Sequence, residues 1–494
     1  MLSIFVATTI TLWVSLHTAH ALSFQQKCES FVLRHGTAIL SNATFISPGG
    51  YTTTLYNITS TNKIAFCRIS AAQPYPTNNR VQFEVWLPDP NVYNDRFLVL
   101  GNGGMAGILD ETSLMSCLNQ NFACATGDSG HRAKDNNDGN GAPGVYLPYL
   151  HDREQTLAWI HNSIALLTAP AKKIVRTMYG RRPKYSYYQG CSTGGAQGFS
   201  LAQFHPHLFD GIVAGSPGNW YSHLVLSFLW NTVPESVNSP PGAPDFSLSD
   251  LNLITTAALK KCDAIDGVAD GLIENPLQCH FDIDNLQCPP SQASSAAASC
   301  LSAQKIQQAK KIYDGPKRPA SNLAVYPGFS VGSESSWAMQ EQGLSSAFSI
   351  PILQNLVFNN LAYNVSTFNW GTDVDLVDKR SGRLMDAISS DLSSFRATGA
   401  KMVVTQGWAD PFNAALWPIQ HREQLQNTMR GNVDDWFSLF MVPGGGHCGA
   451  APGYPHVPAN WHSLDVLIDW VEGGKKPKAM LSSDVHNWES YTCQ

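Results

Sequence analysis

Apolar positions along the chain fall into two rhythms. Residues 81–88 alternate apolar and polar side chains and stop at Pro88, which reads as a strand. Residues 96–100 are a short apolar run that ends in Gly101-Asn102-Gly103-Gly104, the pattern of a parallel strand buried on both faces. Residues 157–179 then place Leu157, Ile160, Ile164 and Leu167 at helical spacing. Further strands are predicted over 184–189 and 210–215, with a helix over 194–204 between them. Strand–helix–strand alternation of this kind indicates a parallel sheet with crossover helices. The segment from 22 to about 79 is rich in Ser, Thr and Asn and reads as a surface-hugging β-type extension.

The alternation breaks from about residue 218 to 397, where Ser, Ala, Asn and Pro are frequent and strand signals sparse. It resumes at 401–405 and 436–442, and a helix over 462–471 follows. The simplest organisation is one α/β sheet interrupted by an inserted lid domain. The expected boundaries are 1–21, a cleaved secretory signal; 22–217, the first part of the α/β domain; 218–397, the lid; and 398–494, the second part of the α/β domain. No stretch after residue 21 approaches the ~18 uninterrupted apolar residues of a membrane span, so no membrane partner is expected.

Composition narrows the class. Lys+Arg 32 against Asp+Glu 38 gives a net charge of -6, so no basic surplus exists to neutralise phosphates and no nucleic-acid partner is expected. With 43% hydrophobic residues the chain has ample core material, and wholesale disorder is excluded. Eleven cysteines agree with an oxidising compartment. Asn42, Asn57 and Asn364 head Asn-x-Ser/Thr triplets, as expected of glycosylation acceptors on an extracellular protein. Composition does not fix the oligomeric state.

Gly190-Cys191-Ser192-Thr193-Gly194 follows a predicted strand and opens a predicted helix, the context of a G-x-S-x-G nucleophile elbow. That elbow predicts an acid and then a histidine downstream. Asp410 sits at the carboxyl tip of the strand over 401–405, and His447 lies in a glycine loop after the strand over 436–442. Open α/β sheets place their sites at the carboxyl ends of strands, so Ser192, Asp410 and His447 would converge there. Asp434 and Asp435 start a strand, the wrong end, and His421, His456 and His462 fall on helices or Pro-rich loops. Cys191 precedes Ser192 and Cys448 follows His447. If serine and histidine hydrogen-bond, their neighbours lie within the Cα separation of about 4.4–6.8 Å that a disulfide requires. The backbone N–H of Thr193 and that of Gly103 or Gly104 would hold a developing oxyanion. A dense acidic loop carries Asp263, Asp266 and Asp270 between glycines, an oxygen-rich set suited to Ca²⁺, and Cys262 and Cys279 would staple it. Nothing in the chain suggests an organic cofactor.

These residues resemble the tannase and feruloyl esterase family: Cys191-Ser192, Asp410 and His447-Cys448 match its paired-cysteine triad. The similarity extends to residues 83–88, the 101–104 loop, Thr126-Gly127-Asp128-Ser129-Gly130-His131 and residues 391–395. The resemblance implies an α/β-hydrolase fold with a lid. It assigns Ser192 as nucleophile, His447 as base and Asp410 as orienting carboxylate, with Cys191–Cys448 bonded. It further implies a structural Ca²⁺ held by the side chains of Asp263, Asp266 and Asp270 and the carbonyls of Val268 and Leu272. Cys28–Cys67, Cys262–Cys279 and Cys288–Cys300 would be the other bridges, while the pairing of Cys117, Cys124 and Cys493 stays open. The expected substrate is a feruloyl or hydroxycinnamoyl ester of plant cell-wall polysaccharide. A galloyl ester is the first alternative, and a catalytically silent binding protein of the same fold the second. Trp220, Tyr221, Trp230, Trp337, Phe348 and Trp370 are candidates for lining the acyl site.

Overall fold

The computed structural model describes residues 22–34, 36–55, 58–136, 141–232, 246–289, 299–483 and 490–493. The expected signal (1–21) and Asn57 lie outside the described residues, as does the side chain of Cys493. Nine strands form the main sheet: β1 (Ile39–Ile46), β2 (Phe66–Tyr75), β3 (Asn79–Pro88), β4 (Arg96–Leu100), β5 (Ala123–Gly127), β6 (Tyr185–Cys191), β7 (Gly211–Gly215), β8 (Lys401–Gly407) and β9 (Phe437–Val442). Their order across the sheet is β1-β2-β3-β5-β4-β6-β7-β8-β9. The pairs from β1 to β5 are antiparallel, and those from β5 to β9 parallel.

Alternation along the strands explains why the sheet is covered on both sides. Phe97 and Val99 of β4 and Met402 and Val404 of β8 enter one apolar core. Their neighbours Leu98, Leu100 and Val403 enter a second core on the opposite face. Helix α1 (Ser163–Tyr179) and helix α2 (Thr193–Phe204) contribute Ile174 and Phe199 to the first. Helix α7 (Ser463–Gly473) contributes Leu467 and Trp470 to the second. The helix expected over 157–179 starts earlier, at Arg153, and carries a wide turn at Ala158–Asn162 before its long regular stretch.

Two strands depart from the sequence reading. Residues 66–75 are not a surface extension: β2 lies inside the sheet, with Phe66, Cys67, Ile69 and Ala71 buried. Its polar positions hid it. Arg68 and Ser70 hydrogen-bond to Glu84 across the β2–β3 pair, at 2.8 and 3.0 Å. Strand β5 leaves no mark in the sequence pattern, because Ala-Cys-Ala-Thr-Gly carries no bulky apolar signal, yet every residue in it is buried. Between β7 and β8 the described chain adds no strand to this sheet. It builds helices α3 (Tyr221–Asn231), α4 (Leu248–Cys262) and α5 (Ala303–Asp314) and a series of short helical turns, and helix α6 (Leu416–Thr428) follows β8.

Candidate active site

The chain leaves β4 toward β5 on one side, while β6 lies on the other side of β4. The crevice at the carboxyl ends of β4 and β6 is therefore a topological switch point, where open α/β sheets bind their ligands. Two loops meet there: Gly101–Gly104 after β4, and Ser192 after β6. Ser192 adopts φ 63, ψ -120 between the strand and helix α2. A non-glycine residue at positive φ is strained by about 1–3 kcal/mol and persists only where its surroundings over-determine it. Here they do. The Ser192 N–H donates to the Gly215 carbonyl at 2.9 Å, and the Ser192 carbonyl accepts from Ala196 and Gly218. A Cβ on Gly190 would come within 2.7 Å of the Gly194 carbonyl, and one on Gly195 within 2.5 Å of the Gly215 oxygen. Glycines let the turn close that tightly.

Asp410 follows β8 and is buried. Its Oδ1 accepts the N–H groups of Phe412 (2.7 Å) and Asn413 (3.0 Å), and its Oδ2 accepts Gln406 Nε2 (2.9 Å). His447 Nδ1 stands 3.0 and 2.9 Å from the two carboxylate oxygens. Burial by itself would raise the Asp410 carboxyl, but the pull of His447 and these hydrogen bonds outweigh it, and the carboxyl sits below its ordinary value. An ionised Asp410 fixes the proton on Nδ1 and leaves Nε2 as an acceptor. That nitrogen is buried and has no hydrogen-bond partner among the described residues. The Phe412 ring stacks on the imidazole, centroids 4.3 Å apart, a contact for which the sequence offered no signal beyond adjacency to Asp410.

Cys191 and Cys448 are disulfide-bonded, with Cα atoms 6.0 Å apart across a sequence separation of 257. The neighbours of Ser192 and His447 are thus covalently joined. On the β4 side, the Thr193 hydroxyl donates to the Gly104 carbonyl at 2.8 Å, so the first residue of α2 touches the glycine loop. The N–H groups of Gly103 and Gly104 find no acceptor among the described residues.

Of the aromatic candidates, Phe348 reaches this crevice: its ring lies 4.0 Å from where a Gly104 Cβ would stand. Tyr221 contacts the Thr193 side chain. Trp337 packs against Phe246 and Tyr313, and Trp230 against Trp370, inside the insert rather than at the crevice. Trp220 stacks on His223. Phe228 bridges Phe348 and Phe412, at 5.7 and 6.3 Å. The rival residues have structural partners: His421 bonds to Asn219 and Ser389, His462 to Asp465, Asp434 to Arg422 and Asp435 to Arg396.

Cys28–Cys67, Cys262–Cys279 and Cys288–Cys300 are bonded, and Cys117 pairs with Cys124. Asn42 and Asn364 are exposed. No three acidic, His or Cys side chains among the described residues are gathered as a metal cluster. In the acidic loop Asp263 accepts the N–H groups of Asp270 and Gly271, Asp266 that of Val268, and Asp270 that of Leu272. Burial raises the nearby Glu274 carboxyl, and the charges of Asp266 and Asp270 raise it further. The loop thus offers oxygen donors alone, the kind a hard cation prefers, with its carboxylates turned to backbone N–H groups.

A solved structure shares the fold. The feruloyl esterase B of Aspergillus oryzae superposes with a TM-score of 0.83, covering 95% of both chains at 23% identity. The protein has the α/β-hydrolase fold. The family model for tannase and feruloyl esterase matches residues 67–491. An esterase of Xanthomonas campestris pv. campestris is 30% identical over 86% of this chain and 78% of its own. A probable feruloyl esterase B-1 of Aspergillus flavus is 28% identical over 85% of this chain and 79% of its own. The chain belongs to the tannase and feruloyl esterase family and is a carboxylic ester hydrolase.

Proposed function

We propose that the protein is a secreted serine esterase for aromatic carboxylic esters, with feruloyl and related hydroxycinnamoyl esters of plant cell-wall polysaccharides as its substrates. The observation that carries this reading is the unpartnered Nε2 of a carboxylate-anchored His447, in a loop bonded through Cys448 to the residue before Ser192. Ser192 Oγ attacks the ester carbonyl carbon while His447 Nε2 takes its proton. The carbonyl oxygen becomes an oxyanion held by the N–H of Thr193 and that of Gly103 or Gly104. The tetrahedral intermediate collapses, and His447 returns the proton to the departing alcohol. Water then attacks the acyl-serine, with His447 again as base, and the free acid and Ser192 are released.

The apolar ring of Phe348 beside Gly104, backed by Phe228, supports an aromatic acyl group next to the glycine loop. The described bridges, five in all, and exposed glycosylation acceptors at Asn42 and Asn364 support secretion. The acidic loop supports a structural Ca²⁺ on Asp263, Asp266 and Asp270 with the carbonyls of Val268 and Leu272. Its removal registers in thermal stability rather than in the chemical step.

Turnover of methyl ferulate and methyl gallate by the purified protein tests the reading. Ferulate is expected to have the higher kcat/KM, and Ser192→Ala to lower kcat by about 10⁴-fold or more. A strong preference for gallate makes the protein a tannase. Full activity of Ser192→Ala removes the serine mechanism, and binding of an aryl ester without turnover by the wild type makes it a silent binding protein.

A further inference from the structure

One sequence motif has no part in the chemistry above: Thr126-Gly127-Asp128-Ser129-Gly130-His131, at the end of β5. Four of its residues hold the chain that leaves β4. The Thr126 hydroxyl donates to the Leu100 carbonyl at 3.0 Å. The Gly127 carbonyl accepts Asn102 Nδ2 at 2.7 Å, and the Ser129 hydroxyl donates to Asn102 Oδ1 at 2.7 Å. His131 Nε2 meets the Met105 carbonyl at 2.8 Å. Gln197 on α2 completes the frame. Its Nε2 donates to Ser129 Oγ (3.1 Å) and to the Trp159 carbonyl (2.8 Å), while its Oε1 accepts the backbone N–H of Asn102 (3.1 Å). The Tyr188 hydroxyl donates to the Gly194 carbonyl at 2.7 Å and stands 3.2 Å from Gln197 Oε1. Asn102, Ser129, Gln197 and Tyr188 are all buried, and none is charged.

Residues 101–104 are rich in glycine and by themselves have many conformations. A second oxyanion donor is useful only if its N–H is held before the oxyanion forms. The loop's own backbone cannot do this, so the restraint has to come from outside it. Gln197 lies on the helix that begins beside Ser192, and it fixes Asn102, the residue just before Gly103. Burial lowers His131 to about 4, so its ring stays neutral as a fixed strut.

We propose that Ser129, Asn102 and Gln197 are positioning residues that set the distance between the two oxyanion donors, tying the Gly103–Gly104 loop to the nucleophile helix through one buried amide–hydroxyl network. The inference rests on Ser192 being the nucleophile. The network touches no substrate atom, and its effect is transmitted through the loop backbone.

The test compares Ser129→Ala and Gln197→Met with the wild type by kcat, KM for methyl ferulate, and Ki for an aryl boronic acid, which forms a tetrahedral adduct on a catalytic serine. Each variant is expected to lose about ten- to hundredfold in kcat and a comparable factor in boronic acid affinity, with KM within about twofold. The double variant is expected to lose less than the product of the single losses, because both side chains act on one loop. Wild-type kcat and Ki in both variants overturn the proposal, whatever the change in Tm. So does a fall in kcat with an unchanged Ki, which reports a smaller fraction of active enzyme rather than a displaced donor. Ser129→Ala removes a single hydroxyl, and Asn102→Ser takes the place of Gln197→Met if that protein does not fold. A wild-type protein that ignores the boronic acid and keeps its activity after Ser192→Ala overturns the serine reading itself, and this assignment with it.

Discussion

The sheet and the insert between β7 and β8 hold their side chains in different ways. On the sheet side, positions are set by strand ends, by backbone contacts too close for any side chain at Gly190 and Gly195, and by the Cys191–Cys448 bond. The insert is made of helices and short turns, packed through aromatic pairs such as Trp230–Trp370 and Tyr313–Trp337 and stapled by Cys262–Cys279 and Cys288–Cys300. The proposed reacting groups all sit on the sheet side. Among the described contacts, the insert reaches them through the Gly218 N–H on the Ser192 carbonyl, Phe348 at Gly104 and Tyr221 at Thr193. Under the proposed mechanism such a division would put most of the chemical step on the sheet and recognition of the acyl group on the insert.

That separation has measurable consequences. The largest is expected from Cys191→Ala/Cys448→Ala. Opening a loop whose ends are 257 residues apart costs on the order of 5 kcal/mol in the chain-entropy treatment, and it also loosens His447 from Ser192. Thermal melting and kcat should both fall. A folded variant with undiminished kcat shows that the sheet alone keeps base and nucleophile in register. Phe348→Ala, on the insert side, is expected to raise KM for methyl ferulate about tenfold while kcat changes less, as suits the loss of apolar contact in a pocket. A collapse of kcat with KM unchanged would place the insert in the chemical step and erase the distinction. The smallest effect is expected from a chelator. Removing Ca²⁺ lowers Tm by a few degrees, restored by added Ca²⁺, with kcat at 25 °C preserved. An unchanged melting curve removes the cation from the acidic loop.

The two regions were unequally legible in the sequence. Strands β4 and β7 and the first half of β8 announced themselves as apolar runs, because a strand buried on both faces has few polar positions to interrupt it. The same rule concealed β2, where Arg68 and Ser70 are half-buried and paired with the buried Glu84. A partner in another strand satisfies these polar groups, and no local pattern records that. Ser192 was marked by its glycines. Asp410 and His447 were found as residues at strand tips, and the cysteines beside Ser192 and His447 were read as bonded. In the insert the aromatic pattern gives Phe348 the same standing as Trp337 and Trp370, which are core. An aromatic residue looks the same in sequence whether it faces a crevice or a core.

By itself the sequence determined which residues stand at chain reversals: the glycine-flanked serine, the aspartate and histidine just beyond strand ends, and the loop of glycines after β4. These are local matters of backbone freedom and burial period, decided within a few residues of each position. The tertiary structure alone decided which reversals meet and what props them. Phe412 on the His447 ring, Cys117 with Cys124, and the bridge of Asn102, Ser129 and Gln197 beneath the glycine loop belong to that second set. Except for the short Cys117–Cys124 loop, those contacts join residues distant in sequence. They follow from the order of strands across the sheet, which is settled by the packing of the whole chain rather than by the pattern of any one segment.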